Sequence, residues 1–230
     1  MPAKQLGVGT VTEIDRFDGG VGWLAHPEET MERASHALAT DAGVFLVDPV
    51  DAEGLDDLVA EFGDVAGVVV LLDYHTRHAE RIATRHNVPV YLPAEMTGVD
   101  LDVPTRRFSG ALPATRFDLL PVTVTPLWKE WALFDGETLV VAEAVGTTDY
   151  FLGPGESTLG VSYLRRLVPP TALDGLAPDR LLVGHGAGVH EDVAATLAET
   201  LAEADEDLVA FYRKNATTMV RNLTTAVTTP

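Results

Sequence analysis

Two kinds of pattern alternate along the 230 residues. Short runs that are wholly apolar or alternate with polar residues recur at VFLV (44–47), VVVLL (68–72), VPVYL (88–92), LLPVTV (119–124), WALF (131–134), TLVVA (138–142) and RLLV (180–183). Each is bounded by Gly, Pro or Asp, which is how β-strands are written in sequence. Weaker runs predict two further strands over 11–14 and 21–25. Helices are predicted over 53–62, 78–86, 161–167 and 191–214. In the last, Val193, Leu197, Leu201, Leu208 and Phe211 return at helical offsets while acids fill the other face.

The order of these elements narrows the fold. N-terminal strands are followed by strand–helix–strand units over 44–92. A strand-rich stretch spans 105–142, with Asp135-Gly136 as a hairpin turn between WALF and TLVVA. Strand–helix units then return over 161–214. This mixture fits a layered α/β (α+β) sandwich better than one doubly wound sheet. No repeat and no long linker divides the chain, so a single domain is expected over 1–215, followed by a Thr-rich tail over 216–230.

Charge then excludes whole classes of function. The formal net charge is −19, from 35 acidic and 16 basic residues. Such a chain repels a phosphate backbone or an anionic membrane surface, so neither nucleic acid nor membrane is expected as a partner. With 46% hydrophobic and 22% charged residues it buries a core instead of remaining disordered. Only Lys4, Lys129 and Lys214 among the basic residues are lysines. Abundant Asp with scarce Lys resembles the composition of halophilic, acidic proteins. The absence of cysteine removes disulfides, thiolate ligands and a cysteine nucleophile. The N-terminus has no apolar signal core, and no run of about 18 apolar residues occurs, so a cytoplasmic protein is expected.

Candidate chemistry collects at predicted strand ends, where α/β proteins commonly place their sites. Asp73-Tyr74-His75-Thr76-Arg77-His78 lies between the strand VVVLL and a helix, and Gly184-His185-Gly186 directly follows RLLV. Glu143 ends TLVVA. Trp128 and Trp131 are expected chiefly to pack the hairpin. Tyr150, Phe151 and the Gly153-Pro154-Gly155 turn form a loop over the same face, placed for ligand contact by position alone.

Strand, His/Asp cluster, helix, V-P-V-Y-L-P, a hairpin ending in an acid, and L-V-G-H-G in this order resemble the metallo-β-lactamase superfamily over roughly residues 10–215. The resemblance implies a four-layer αββα sandwich and a metal-dependent hydrolase acting on a small-molecule ester, thioester or amide. VFLVDP resembles the family's early strand, with Asp48 in the supporting position. The metal signature H-x-H-x-D-H is degenerate here. Asp73 stands in the place of its first His, His75 and His78 match the second and last, and Arg77 replaces its Asp. Glu143 falls where the family has a bridging Asp, and His185 matches the final His. The segment Thr125-Pro126-Leu127-Trp128-Lys129-Glu130, where another His ligand is usual, has none.

An always-protonated guanidinium among the ligands opposes a second cation. The resemblance therefore implies at most one zinc or iron ion, on a set drawn from His78, His185 and Glu143 and completed by His75 or Asp73. The alternative is a catalytically inactive, metal-free binding or regulatory protein, in which Arg77 replaces the metal by pairing with Asp73 and Glu143. In both readings the partner is a small molecule.

Overall fold

In the computed structural model, which describes residues 2–126 and 128–228 and side chains as far as residue 221, the strand patterns assemble into two main sheets. The first has seven strands in chain order: β1 (Thr12–Phe17), β2 (Gly20–Leu24), β3 (Ala34–Thr40), β4 (Gly43–Val47), β5 (Val65–Val69), β6 (Val90–Pro93) and β7 (Thr105–Phe108). Pairing is antiparallel from β1 to β4 and parallel from β4 to β7. The second has four: β8 (Asp118–Thr125), β9 (Trp128–Phe134), β10 (Thr138–Val141) and β11 (Arg180–Val183), with only β10 and β11 parallel.

The apolar runs are continuous because both faces of each sheet are covered. Phe45 and Val47 of β4, Val69 of β5, Val140 of β10 and Leu182 of β11 point into one core between the sheets. Their neighbours Val44, Leu46 and Val68 pack beneath α1 (Leu55–Ala60) and α2 (Ala79–His86), with Leu58 and Ile82. Leu139, Val141, Leu181 and Val183 pack beneath α3 (Val193–Ala202), with Val193, Leu197 and Leu201. The layers run helix, sheet, sheet, helix.

Several expected elements differ. The helix predicted over 191–214 is two, α3 and α4 (Leu208–Thr228), separated by a turn in which Asp207 adopts φ 40°. The apolar offsets continue through this break, but the two pieces pack into different clusters: Val193, Leu197 and Leu201 against the second sheet, Phe211 against Tyr150, Phe151 and Tyr163. Residues 161–167 form turns after a two-residue pairing of Val145–Gly146 with Gly160–Val161, not a helix. β3 went unpredicted because ASHALAT has weak strand propensity. Its small side chains form a strand because β2 and β4 enclose it on both edges, where Ala37 is fully buried. α4 runs unbroken past residue 215, and Arg221 donates to Thr30 Oγ1 at 2.9 Å. Among the described residues, no helix is long and apolar enough to cross a membrane.

What positions the site is the way the two sheets meet at one end. Beyond β5 the chain leaves its own sheet, and Trp131 N donates to Leu71 O at 2.9 Å. The start of β3 meets the end of β11, where Ala34 N donates to Gly184 O at 3.0 Å. The C-terminal ends of β4, β5, β10 and β11 thus converge.

Candidate metal centre

Four strand ends each deliver one side chain. Asp48 follows β4 with φ 44°, a left-handed conformation accessible to Asp. His75 follows the extension of β5, Glu143 lies two residues beyond β10, and His185 two residues beyond β11. Gly184 is required because a Cβ there would fall 2.1 Å from Ala142 O.

His75 Nε2, His185 Nε2 and a Glu143 carboxylate oxygen form one cluster, all within 4.8 Å of one another and all buried. Glu143 Oε2 lies 3.2 Å from His75 Nε2 and 3.1 Å from His185 Nε2. The far side of each ring is anchored. His75 Nδ1 donates to Asp48 Oδ2 at 3.0 Å, and His185 Nδ1 to Met31 O at 2.7 Å. Asp48 is itself fixed by the Leu71 N–H, at 2.9 Å to Oδ1. With Nδ1 committed as a donor, each neutral ring presents its Nε2 lone pair to an ionised carboxylate. Acceptors then face an acceptor across about 3 Å, an arrangement that calls for a cation between them.

When no ion is bound, a proton on the rings can fill that role, and the electrostatics describe that state. Burial pushes the Glu143 carboxyl up, but the His185 and His75 imidazoles outweigh it and hold it far below the usual carboxylate range. Burial and the Arg77 charge lower His75, yet hydrogen bonds to Asp48 and Glu143 prevail and raise it above its ordinary value.

Two expected ligands stand elsewhere. His78 Nδ1 accepts the Asp51 N–H at 2.8 Å as the residue capping α2, so that lone pair is spent on the backbone, and burial followed by the Arg33 charge lowers its pKa. Asp73 is half-buried, with Oδ1 3.4 Å from Lys129 N. The set expected around His78 is replaced by one in which His75 is central. Arg77 also differs from expectation, since its hydrogen-bond partners are neither Asp73 nor Glu143. From φ 42° it donates Nη1 to Ala34 O and Asp48 O, the latter at 2.7 Å, and Nη2 to Gly184 O at 3.0 Å, tying β3, β4 and β11 together. Burial draws its pKa down to about 10, so it remains a cation at neutral pH.

Glu130 escaped the sequence reading. Fully buried, it accepts the Glu143 and Ala144 N–H groups, both at 2.7 Å, on one oxygen and Trp128 Nε1 at 3.1 Å on the other. The signal available was an acid set within the apolar strand W-K-E-W-A-L-F. Tyr150 lies over His185 with ring centroids 6.1 Å apart, and Phe151 lies 5.7 Å from the same ring. Burial and the Glu143 charge raise the Tyr150 phenol well above its ordinary value and Tyr163 to about 12.

No family profile and no curated protein matches the sequence. Solved structures do match. The DIM-1 metallo-β-lactamase superposes with a TM-score of 0.58 at 12% identity over 86% of this chain and 100% of its own. FIM-1 from Pseudomonas aeruginosa, a metallo-β-lactamase in mono-zinc form, gives 0.53 at 10% identity over 86% and 98%. The Flv1 flavodiiron core from Synechocystis sp. PCC6803 gives 0.56 at 11% identity over 86% and 62%. The chain has the metallo-β-lactamase fold. Within that fold, the cluster of His75, Glu143 and His185 lies where the ends of β5, β10 and β11 converge, with the buried Arg77 guanidinium bridging the neighbouring backbone carbonyls.

Proposed function

We propose that this chain is a one-ion hydrolase of metallo-β-lactamase fold, cleaving an ester, thioester or amide in a small molecule. The observation that carries the reading is the convergence of two Nδ1-anchored imidazoles on a single Glu143 oxygen. Two His and one carboxylate suit a zinc site with an open position, or a ferrous one. Such an ion supplies Lewis acidity toward water or a carbonyl. The protein's own part is orientation. Asp48 and Met31 O fix the rings, Glu130 fixes the turn that carries Glu143, and Arg77 supplies a permanent cation where a second ion would otherwise compete. Relative exposures of 6% for His75, 9% for Glu143 and 0% for His185 favour a small substrate over a polymer. The mono-zinc form of FIM-1 gives a precedent for one ion on this fold.

A second reading is favoured by the 3.1 and 3.2 Å separations, which are also hydrogen-bond lengths. With both rings protonated, the cluster closes as an ion network without metal, and the protein binds or regulates without catalysis. Metal content separates the two. Chain purified in molar salt should carry close to one zinc or iron, lost in His185→Ala and retained in His78→Ala. Metal-free wild type that also fails to take up added zinc or ferrous iron would establish the second reading.

A further inference from the structure

Beyond β11 the chain has little rigidity of its own. Gly184-His185-Gly186-Ala187-Gly188 holds three glycines in five residues, and glycine loses more conformational freedom on ordering than any other residue. The loop that carries His185 is therefore held from outside. Gly186 N donates to Glu32 O at 2.9 Å, and Leu181 and Val189 exchange backbone bonds across the loop's base. Its far end is gripped by a side chain from the first strand of the other sheet, Asp15. Gly188 N donates to both Asp15 oxygens, at 2.8 and 2.9 Å, and His190 Nε2 donates to Oδ1 at 3.0 Å.

The first sheet is shaped around this carboxylate. Asp15 sits in a bulge of β1, where the register with β2 shifts between Ile14 and Phe17, and its φ of 54° is left-handed. Such strain persists only where the surroundings hold it in place. The side chain is 3% exposed although it carries a charge. Glycines leave room on two sides: a Cβ on Gly188 would lie 3.2 Å from Oδ1, and one on Gly22 would lie 3.1 Å from Oδ2 and 2.9 Å from His36 Nδ1. His36 approaches from β3 but offers no donor. Its Nε2 donates to Val183 O at 2.9 Å, and burial outweighs the Asp15 charge to lower its pKa, so the neutral ring leaves Nδ1 as a lone pair without a partner. The hydrogen bonds that hold the Asp15 carboxylate thus come from residues 188 and 190.

We infer that Asp15 is a positioning residue for the candidate metal centre, clamping the loop behind His185 so that its imidazole stands ready for an ion. Met31 O fixes the ring, and Asp15 fixes the backbone that carries it. With the loop already ordered in the folded chain, ion binding does not have to order it, and affinity rises accordingly. The inference rests on the one-ion reading and adds to it a dependence on a carboxylate outside the cluster.

The test uses the full chain, with cobalt(II) as a probe whose visible spectrum reports coordination, and amide hydrogen exchange of the metal-free protein. Asp15→Gly removes the carboxylate and accepts the left-handed backbone. It should weaken cobalt binding about tenfold, the lower end of what losing a ligand's supporting bonds costs. It should also speed exchange at the Gly186 and Gly188 amides while those of β4 and β5 stay protected. Asp15→Asn keeps an acceptor for Gly188 N and tolerates the same φ, so it should recover part of the affinity. Leu58→Ala, beneath α1 on the helix side of the first sheet, supplies a chain of lowered stability with the clamp intact, and should bind cobalt like wild type. Unchanged cobalt affinity in Asp15→Gly overturns the inference. An equal loss in Leu58→Ala overturns it too, by tracing the effect to general stability. Failure of wild type to bind cobalt overturns the one-ion reading instead; the clamp then stands on exchange alone, and an unchanged rate at Gly186 in Asp15→Gly overturns it.

Discussion

Arg77 illustrates how one buried residue ties separate parts of a fold together. Its guanidinium spans three backbone carbonyls contributed by three strand ends, and only a planar fork reaches all of them. Removing it deprives buried acceptors of charge-assisted bonds and leaves Asp48 and Glu143 without their common cation. Arg77→Met should lower unfolding free energy by roughly 3 kcal/mol or more, measured by urea titration. Arg77→Lys should recover less than half, since a point charge cannot serve three acceptors. Full recovery by Lys would show that charge alone matters. A corollary is that Asp at position 77 would set an acceptor among three carbonyls that require a donor, so Arg77→Asp should destabilise the fold at least as much as Arg77→Met.

At the scale of elements, the strap over 29–33 couples a buried ion pair to the site. Glu29 receives Arg33 Nε at 2.6 Å and Gln5 N at 2.8 Å, and two residues on, Met31 O anchors His185. Burial raises the Glu29 carboxyl, but the Arg33 bonds prevail and bring it below its ordinary 4.5. A carboxyl lowered by folding contributes stability that is complete above its unfolded pKa and is lost as pH falls from about 4.5 through the folded value. Wild type should therefore lose stability below about pH 4.5 more steeply than Glu29→Gln, which at neutral pH is already about 3 kcal/mol less stable. Parallel pH profiles for the two proteins would refute the coupling.

Elements also show what was legible in sequence and what was not. Strands buried on both faces, such as 44–47 and 180–183, were read because apolar runs between breakers leave few alternatives. β3 was not, since its strand character comes from its neighbours' hydrogen bonds and not from its own residues. The cluster was half legible. His75, Glu143 and His185 stood out as residue types at strand ends, but spacing alone could not tell that His78 turns to the Asp51 amide. Nor could it reveal that a backbone carbonyl, Met31 O, orients the His185 ring.

For the whole molecule, the dominant quantity is the net charge of −19. Ion pairs such as Arg85 with Asp51 and Asp56 use several cations locally, leaving the remaining acids to repel across the surface. Repulsion over such distances is screened once the Debye length falls to about 10 Å at 0.1 M salt and about 3 Å at 1 M. The melting temperature should rise by several degrees from 10 mM to 1 M KCl, and a flat or falling profile would contradict this account.

The three candidate ligands are separated by 68 and 42 residues, with His75 from the first sheet and the other two from the second. No local segment can therefore capture an ion and nucleate folding, as a compact zinc finger does. Two long loops must close first, and the sandwich must already be docked before the three donors meet. An ion bound here arrives last and acts as a latch on a finished structure. Its binding energy would be spent on holding the halves of the molecule together, and its absence would leave a protein that still folds.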